Sequence, residues 1–356
     1  MEQTRNQSDI TTRLLNWYNV NKRDLPWRRT TNPYHIWLSE VILQQTRIVQ
    51  GWDYYLRFID RFPDVQSLAS AEEEEVLKLW QGLGYYTRAR NLHAAARQIM
   101  SRYNGIFPSD YSNILSLKGV GKYTAAAISS IAFQAPYAVV DGNVNRVIAR
   151  LFTVETPIDT AEGKRIISEI AHHLLPPRHS GNYNQAIMDF GSLVCTPVQP
   201  KCADCPLQEN CRAYEEKRVS EYPVIRRKPT VRKRYFYYFH ILQGNKTFIQ
   251  KRNGDDIWKS LYEFPLIETP EAVDFFQLSQ KDDFLRLFPE NMKLYAEHRL
   301  TIKHQLTHQS IHSTFYRIEI AEGSAFNPPQ ELIRINKDDL ADYPVSRLTD
   351  KYLEII

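Results

Sequence analysis

Hydrophobic and polar residues alternate with two different periods along this chain. In the N-terminal part, apolar residues recur every three to four positions, as in residues 8–22, which predicts amphipathic helices. From residue 234 the period changes to two, first in residues 234–242 and 246–252, which are joined by a Gly-Asn turn. Further strands are predicted at 296–304 and 312–320, with a helix near 279–288. The pattern predicts a mostly helical N-terminal region followed by a small α+β domain.

The helical part contains several further predicted elements. Residues 32–47 form one helix, residues 63–103 form two or three, and residues 184–191 form another helical segment. Leu117 to Arg150 is predicted to form a helix, a tight turn and a second helix, followed by a short loop that carries one acid.

Length and composition are those of a soluble globular protein with room for two domains. The 356 residues are 43% hydrophobic and 24% charged. The longest uncharged run, Tyr123 to Val140, contains Gln134 and Pro136 and therefore predicts a buried helix and loop, not a membrane span. The N-terminus lacks a charged-then-apolar signal pattern. We expect a cytoplasmic or nucleoid-associated protein with no membrane partner.

The net charge of +4 is concentrated in one segment of the chain. Residues 223–234 contain six basic residues, no acidic residue, and the prolines Pro223 and Pro229. Such a run is typical of a solvated linker between domains, although it could also lie along a polyanion. Charge alone does not make this a nucleic-acid-binding protein.

The turn in the central hairpin has the composition of a phosphate-binding site. Gly119 and Gly121 can expose consecutive backbone N–H groups just before a helix begins. Asp141 follows two valines and would lie near whatever the glycine turn holds. The alternative is an ordinary helical hairpin with a capping aspartate.

Two other stretches place polar groups beside apolar surface. Glu40 lies at the edge of the apolar side of its predicted helix, where a carboxyl tends toward a raised pKa and can donate a proton. Most helical glutamates are, however, exposed and inert. Trp27 and Arg28 adjoin a proline and could stack on and hydrogen-bond a base, or the tryptophan could simply fill the core.

All four cysteines lie within 17 residues, spaced Cys195-x6-Cys202-x2-Cys205-x5-Cys211. Four thiolates at these short spacings suit one compact metal centre, for which an iron–sulfur cluster and a zinc ion are the alternatives. A reducing compartment disfavours two disulfides.

These motifs together resemble the helix-hairpin-helix DNA glycosylases, and residues 32–47 resemble the MutY adenine glycosylases nearly residue by residue. The resemblance implies that Glu40 is the catalytic acid, that Asp141 stabilises the sugar cation and that Asn143 orients the reacting groups. Tyr123 stands where the bifunctional endonuclease III enzymes carry a Schiff-base lysine, so a monofunctional enzyme is expected. The 6-2-5 cysteine spacing resembles the [4Fe–4S] loop of the same branch.

The resemblance also implies a set of DNA contacts. The hairpin turn would grip the backbone, other side chains would fill the gap left by an extruded base, and the base would enter a pocket. The expected contact residues are Trp27, Arg28, Gln45, Thr46, Leu83, Gly84, Tyr85, Gly119, Gly121, Lys122 and Gln185. The turn departs from many relatives in having Lys118 where they place proline.

The C-terminal domain resembles a Nudix fold through Asp256 to Pro265, which is similar to the Trp/Tyr-Glu-Phe-Pro segment of such domains, but we find no glutamate-dense Nudix helix. The resemblance therefore implies a recognition domain with no hydrolase activity. Leu306, Thr307 and His308 resemble the Phe-Ser-His loop by which MutY proteins sense 8-oxoguanine, with leucine replacing the aromatic residue. The alternatives for this histidine-rich stretch are a polar β-hairpin or a zinc site.

The expected domains are a glycosylase region at 1–222 with an iron–sulfur loop at 195–211, a basic linker at 223–234, and a Nudix-like domain at 235–356. The expected activity is removal of adenine mispaired with 8-oxoguanine or guanine in double-stranded DNA, by a monomer. Two rival classes remain, a bifunctional lyase for oxidised pyrimidines and a non-catalytic DNA-binding protein.

Overall fold

The computed structural model describes residues 2–226, 231–289, 292–306, 308–321 and 326–356, with side chains from residue 8 onwards. Contacts divide the chain into two compact units, one made of residues 1–70 and 91–227 and the other of residues 71–90 and 228–356. None of the helices in these described ranges combines the length and the apolar character that crossing a bilayer requires.

The helices follow the periodic apolar pattern of the sequence, and their bounds are α1 (Glu2–Asn21), α2 (Pro33–Leu43), α3 (Ile48–Arg61), α4 (Val65–Ser70), α5 (Glu73–Leu79), α6 (Thr87–Tyr103), α7 (Tyr111–Leu115), α8 (Lys122–Phe133), α9 (Gly142–Leu151), α10 (Ala161–Leu174), α11 (Ser180–Leu193), α12 (Arg212–Glu215), α13 (Phe275–Ser279), α14 (Asp282–Leu287) and α15 (Arg347–Leu353).

The main core of the first unit is formed by α1, α9, α10 and α11. Leu14, Ile148, Ile167 and Phe190 are each at most 2% exposed and belong to one apolar cluster. Burying a side chain of this size contributes about 1.5–3 kcal/mol. This packing fixes α9 and α11 side by side, and both helices carry residues of the site described below.

The strands of the second unit are β1 (Arg232–Gln243), β2 (Lys246–Lys251), β3 (Tyr262–Glu263), β4 (Leu266–Thr269), β5 (Leu294–Gln305), β6 (Gln309–Ile320) and β7 (Ile333–Asn336). They form a mixed sheet in the order β3-β2-β1-β6-β5, with β4 added to β1 and β7 to β2. The long β1 and β6 pair in parallel, whereas β5 and β6 pair antiparallel.

Both faces of β1 are covered by apolar side chains. Phe239 and Ile241 belong to the cluster on one face, and Phe236 and Tyr238 belong to the cluster on the other. A central strand buried on both sides is expected to be apolar throughout. This explains the unbroken aromatic run at the start of the domain.

The structure places the end of the basic segment inside the sheet. β1 begins at Arg232, so residues 232–234 of the expected linker are strand residues. Arg234 is 6% exposed, and its guanidinium pairs with Asp256 at 2.6 Å and Glu268 at 2.7 Å. These partners lie far along the chain, so local composition alone made the arginine appear solvated.

Residues 71–90 lie within the expected glycosylase region but group with the C-terminal domain. Within this unit Glu74 accepts hydrogen bonds from Lys251 at 2.9 Å and from the Tyr262 hydroxyl at 2.5 Å. The Tyr86 hydroxyl donates to the Val345 carbonyl at 3.1 Å. The segment is thus held by polar contacts to residues more than 170 positions away.

Candidate active site

A pocket of about 400 Å³ opens in the first unit among α2, α8, α9 and α11. Its size is within the usual range for small-molecule sites, about 300–1,000 Å³. Glu40, Asp141, Tyr123 and Asn143 all line it. The structure therefore brings together the four residues expected to be catalytic.

Glu40 is positioned by a helix whose other side is firmly buried. The Asn32 side chain caps α2 by accepting the Tyr34 N–H at 2.9 Å, and Pro33 occupies the first helical position. Ile36 and Trp37 are nearly fully buried. Because the helix is fixed in this way, the half-buried Glu40 side chain is held in the wall of the pocket.

The environment of Glu40 favours its neutral form. Burial raises the pKa of this carboxyl to about 6, and the charge of Asp141 adds to the effect. A hydrogen bond from Tyr123 and the charge of Arg28 act in the opposite direction. The Tyr123 hydroxyl donates to Glu40 Oε2 at 2.7 Å, and burial holds the pKa of Tyr123 well above its usual range. The tyrosine therefore remains a donor.

Asp141 both caps a helix and faces the pocket. Its Oδ1 accepts the Val144 N–H at 2.7 Å at the start of α9, and its Oδ2 accepts from Asn143 Nδ2 at 2.8 Å. Asn143 Oδ1 in turn accepts from Arg146 Nη2 at 2.9 Å. Asp141 is therefore both a helix-capping residue and a residue of the pocket, so the two interpretations from the sequence do not exclude each other.

An ion-pair cluster beside the carboxylates was not found from the sequence. Arg28 donates through both terminal nitrogens to Asp189, at 2.6 and 2.8 Å, and Arg23 donates to the same carboxylate. Although burial alone would raise it, these hydrogen bonds hold the pKa of the fully buried Asp189 below its usual range. Asp189 lies four residues after Gln185 on α11, and this helical spacing could have identified it.

The expected base-contact residues are only partly available in the pocket. Trp27 borders the pocket, but it is only 7% exposed and its ring lies 5.2 Å from that of Tyr55. Most of the Trp27 side chain therefore packs in the core. Gln185 is 9% exposed, and its Oε1 accepts from the Tyr18 hydroxyl at 3.1 Å. The amide nitrogen of Gln185 is the group left to face a ligand.

The residues after α2 form a turn instead of continuing the helix to residue 47. α2 ends at Leu43, and Gln45 adopts a left-handed φ of 57° with its side chain exposed. Thr46 lines the pocket. A left-handed residue ends a helix, which is why the predicted helix was too long.

The glycine turn between α7 and α8 is built as expected. Gly119 has a φ of 75°, and a Cβ on it would lie 2.5 Å from the Asn91 Cβ. Gly121 precedes α8 with no side-chain cap, and Gly121 and Lys122 are both exposed. The first N–H groups of α8 therefore have no capping side chain and can bind an anion.

Leu83, Gly84 and Tyr85 belong to the second unit. Tyr85 is 48% exposed with a φ of 49°, next to Gly84 with a φ of 72°, whereas Leu83 is 7% exposed. The Arg88 guanidinium lies 5.6 Å from the Tyr85 ring. An exposed aromatic on a strained turn is consistent with a surface contact but does not by itself identify one.

Two of the residues expected to sense 8-oxoguanine, Leu306 and His308, lie between β5 and β6. The Leu306 N–H donates to the Gln309 carbonyl at 2.8 Å, and its side chain packs on an apolar cluster. His308 is exposed. Thr307 lies outside the described residues.

The four cysteines line a common pocket with Arg150. Arg150 Nη1 lies 3.5 Å from Cys195 Sγ and 2.7 Å from the Thr196 carbonyl oxygen, and Arg146 Nε donates to the Cys195 carbonyl at 2.8 Å. Two arginines of α9 therefore hold the start of the cysteine loop, on the same helix that Asp141 caps.

Comparison with known proteins identifies both parts of the chain. The family model described as HhH-GPD superfamily base excision DNA repair protein matches residues 38–173, and the NUDIX domain model matches residues 237–355. The adenine DNA glycosylase of Buchnera aphidicola subsp. Baizongia pistaciae (strain Bp) is 34% identical over 305 residues, which cover 85% of this chain and 83% of the relative. The chain belongs to the MutY family of adenine DNA glycosylases.

Solved structures agree with this assignment. A thermostable thymine-DNA glycosylase superposes with a TM-score of 0.57 at 30% identity, covering 61% of this chain and all of that one. A non-covalent endonuclease III–DNA complex superposes with a TM-score of 0.50 at 23% identity, covering 59% and 97%. The second likeness concerns the fold alone. The predicted MutY family and its two-part fold class are confirmed.

The four cysteines are candidate metal ligands, and the ionisation of their thiols bears on what they could bind. Burial raises the pKa of the Cys205 thiol to about 12, and the charges of the other three cysteines add to this. Four neighbouring thiolates therefore need positive charge among them. The described residues contain no set of three or more His, Cys, Asp or Glu side chains arranged to hold a metal ion.

Proposed function

We propose that this chain hydrolyses the N-glycosidic bond of adenine mispaired with 8-oxoguanine or guanine in double-stranded DNA. The observation that carries the proposal is the Glu40 carboxyl, with a pKa raised to about 6, held 2.7 Å from the Tyr123 hydroxyl in a pocket shared with Asp141. A neutral acid and a second carboxylate are what glycosidic cleavage through a sugar cation needs. The adenine DNA glycosylase of Buchnera aphidicola subsp. Baizongia pistaciae, which matches 85% of this chain, supports adenine as the base.

The base must first leave the DNA stack. Extrusion of a nucleotide costs a few kcal/mol, which contacts that fill the gap offset. In this proposal Gln45 and Tyr85 fill the gap, and the N–H groups after Gly119 and Gly121, with Lys122, bind the phosphate backbone. Arg28, Trp27, Thr46 and Gln185 then border the adenine.

In the proposed reaction, Glu40 donates its proton to adenine N7. The bond between C1′ and N9 breaks, and its electron pair leaves with the neutral base. Asp141 stabilises the resulting oxocarbenium ion, either electrostatically or as a covalent adduct. Water then adds to C1′ and returns a proton to Glu40. Asn143 holds Asp141 in place through the bond of 2.8 Å.

The proposed enzyme is monofunctional because no lysine is among the described residues that line the pocket, where a Schiff base would form. Tyr123 occupies that position and is engaged with Glu40. Lys122 precedes it on α8 and is exposed, and consecutive helical residues point about 100° apart. Borohydride trapping that disappears in a Lys122→Ala variant would contradict this.

Cys195, Cys202, Cys205 and Cys211 would hold a [4Fe–4S] cluster in the proposed protein. The four half-buried thiols, with the pKa of Cys205 raised first by burial and then by the neighbouring cysteines, support a donor set that needs a positive centre. When bound, the cluster would cross-link residues 195–211 through the four cysteine side chains. We assign it no step in base release.

The C-terminal domain is proposed to recognise the opposite base without hydrolysing nucleotides. Leu306 and His308 lie between β5 and β6, and of these two described residues the exposed His308 can hydrogen-bond a base through its imidazole. Leu306 replaces an aromatic residue, so hydrogen bonding would contribute more than stacking. We further propose a monomer that acts in the cytoplasm on nucleoid DNA.

The test is single-turnover incubation with a duplex that contains adenine opposite 8-oxoguanine, followed by alkali. Matched G·C and thymine glycol duplexes serve as controls. Cleavage at adenine alone, and only after alkali, is expected. Cleavage of the thymine glycol duplex without alkali would instead identify a bifunctional lyase. A Glu40→Gln variant should still bind the mismatch but release no base, whereas a binding protein would release none even with Glu40 intact.

A further inference from the structure

A second pocket lies in the C-terminal unit, toward the ends of the parallel strands β1 and β6. Its volume is about 430 Å³, and its walls include His240, Arg317, Lys337, Asp338 and the apolar Leu242 and Leu353. We call it the His240 pocket. It shares no residue with the candidate active site, and its volume suits a small organic molecule.

Two buried polar atoms in the walls of this pocket have no hydrogen-bond partner. His240 and Arg317 are direct neighbours in the parallel register, so both side chains leave the same face of the sheet. His240 is 5% exposed, and its Nε2 is unpartnered among the described residues, as is Arg317 Nε. Buried polar atoms are rarely unsatisfied, and two beside one pocket call for an explanation.

The contact with Tyr352 bears on which nitrogen of the His240 imidazole carries the proton. His240 Nδ1 lies 3.0 Å from the Tyr352 hydroxyl, and burial raises the pKa of Tyr352 to about 12, so this hydroxyl keeps its proton. When the hydroxyl donates to Nδ1, the imidazole proton must be on Nε2. The two unpartnered atoms are then both N–H donors.

The surroundings of His240 are cationic. Burial, together with the charges of Arg317, Lys337 and Arg299, lowers the pKa of the imidazole to about 3. The ring is therefore neutral at pH 7. Arg317 is partly balanced by Glu319 through Nη2, and Asp338 is exposed at the rim. The pocket thus combines two buried donors with the charges of Arg317 and Lys337 and one carboxylate, and Lys337, like Asp338, is exposed.

We propose that the His240 pocket binds a small organic oxyanion with an apolar body. The carboxylate or phosphate head lies on the N–H groups of His240 and Arg317 and beside the Lys337 ammonium. The body packs against Leu242 and Leu353. Asp338 disfavours a second negative charge, so a monocarboxylate binds better than a phosphate monoester of the same length.

Calorimetric titration of the full chain with acetate, butyrate and hexanoate tests the proposal at pH 7. Each added methylene that becomes buried contributes about 0.8 kcal/mol, or about a fourfold gain in affinity. Saturable binding that strengthens along the series is expected, with hexyl phosphate weaker than hexanoate and uncharged hexanamide not bound. Equal or tighter binding of hexyl phosphate would make the site a phosphate site and overturn the preference for a monoanion.

Variants of the pocket locate the binding. Lys337→Gln and His240→Phe should each weaken hexanoate binding by about 10- to 150-fold, since a hydrogen bond to a charged group contributes about 1.5–3 kcal/mol. Arg334→Gln removes an exposed cation from β7, outside the pocket, and should change nothing. No saturable binding, which would mean that water alone satisfies the donors, overturns the proposal. Binding that both pocket variants leave unchanged also overturns it.

Discussion

At the scale of one residue, ionisation of Glu40 lowers the stability of the folded chain. Its pKa is about 6 in the folded chain against an ordinary value of 4.5, so the native state binds protons more tightly than the unfolded state. The stability from this group is present below pH 4.5 and is lost as the pH rises through 6. Above that pH, the buried carboxylate carries a penalty of about 1–2 kcal/mol.

We therefore expect Glu40→Gln to stabilise the protein at pH 7 and not at pH 4.5. The amide keeps an oxygen for the Tyr123 hydroxyl but cannot ionise. Denaturant unfolding at several pH values checks this. The free energy of unfolding of Glu40→Gln minus that of the parent should grow between pH 4.5 and 6 and stay constant above pH 6. Glu72→Gln, at an ordinary helix start in the other unit, is the matched control. A difference independent of pH would show that Glu40 is not the group being titrated.

Tyr123 controls the proton on Glu40 through one hydrogen bond. This bond stabilises the carboxylate and lowers a pKa that burial raises. In Tyr123→Phe the pKa of Glu40 should rise further, so the falling limb of single-turnover base release should move to higher pH. The pH profile of the release rate, compared with the parent, measures the shift. A profile that moves to lower pH would contradict the assigned role of the tyrosine.

Sequence reasoning succeeded for residues whose environment is local. The apolar neighbours of Glu40 on one helix suggested its raised pKa, and two glycines before a helix suggested the uncapped helix start, whose use as an anion site stays a prediction. It could not decide between the two interpretations of Trp27, because its partners Trp52 and Tyr55 come from another helix. Asp189 was missed because an acid on a helix is ordinary until its arginine partners are known.

At the scale of an element, the α7–α8 turn offers a matched pair of glycines. Gly119 has a φ of 75° and no room for a Cβ, whereas Gly121 has a φ of −96° and nothing within 4 Å of a Cβ. We expect Gly119→Ala to lower stability by about 1–3 kcal/mol and to weaken duplex binding. Gly121→Ala should do little to stability. Thermal unfolding and duplex titration of both variants test this, and equal effects of the two would contradict it.

The segment that contains α5 shows what element prediction from sequence leaves out. Its helical pattern and acidic start predict a helix, and α5 begins at Glu73. The contacts of Glu74 with Lys251 and Tyr262 are polar and distant along the chain. Periodicity reports which face of a helix is buried, but not which domain buries it.

At the scale of the whole molecule, the two units have separate cores, and the proposed cluster belongs to only one of them. Arg146 and Arg150 join α9 to carbonyl oxygens of Cys195 and Thr196, so order in residues 195–211 supports the helix that Asp141 caps. The second unit has its own apolar clusters on both faces of its sheet. Loss of the cluster should therefore act on one unit.

We expect Cys205→Ser to remove visible iron–sulfur absorbance and to increase hydrogen exchange in residues 195–211 and in α9. Metal binding to a structural site contributes directly to folding, so a single lost ligand affects the whole loop. Peptides from β1 and β6 should keep their protection. Arg212→Gln is the control, because it changes an exposed residue beside a ligand while leaving all four thiols. Increased exchange spread equally over both units would show that the chain unfolds as one cooperative body.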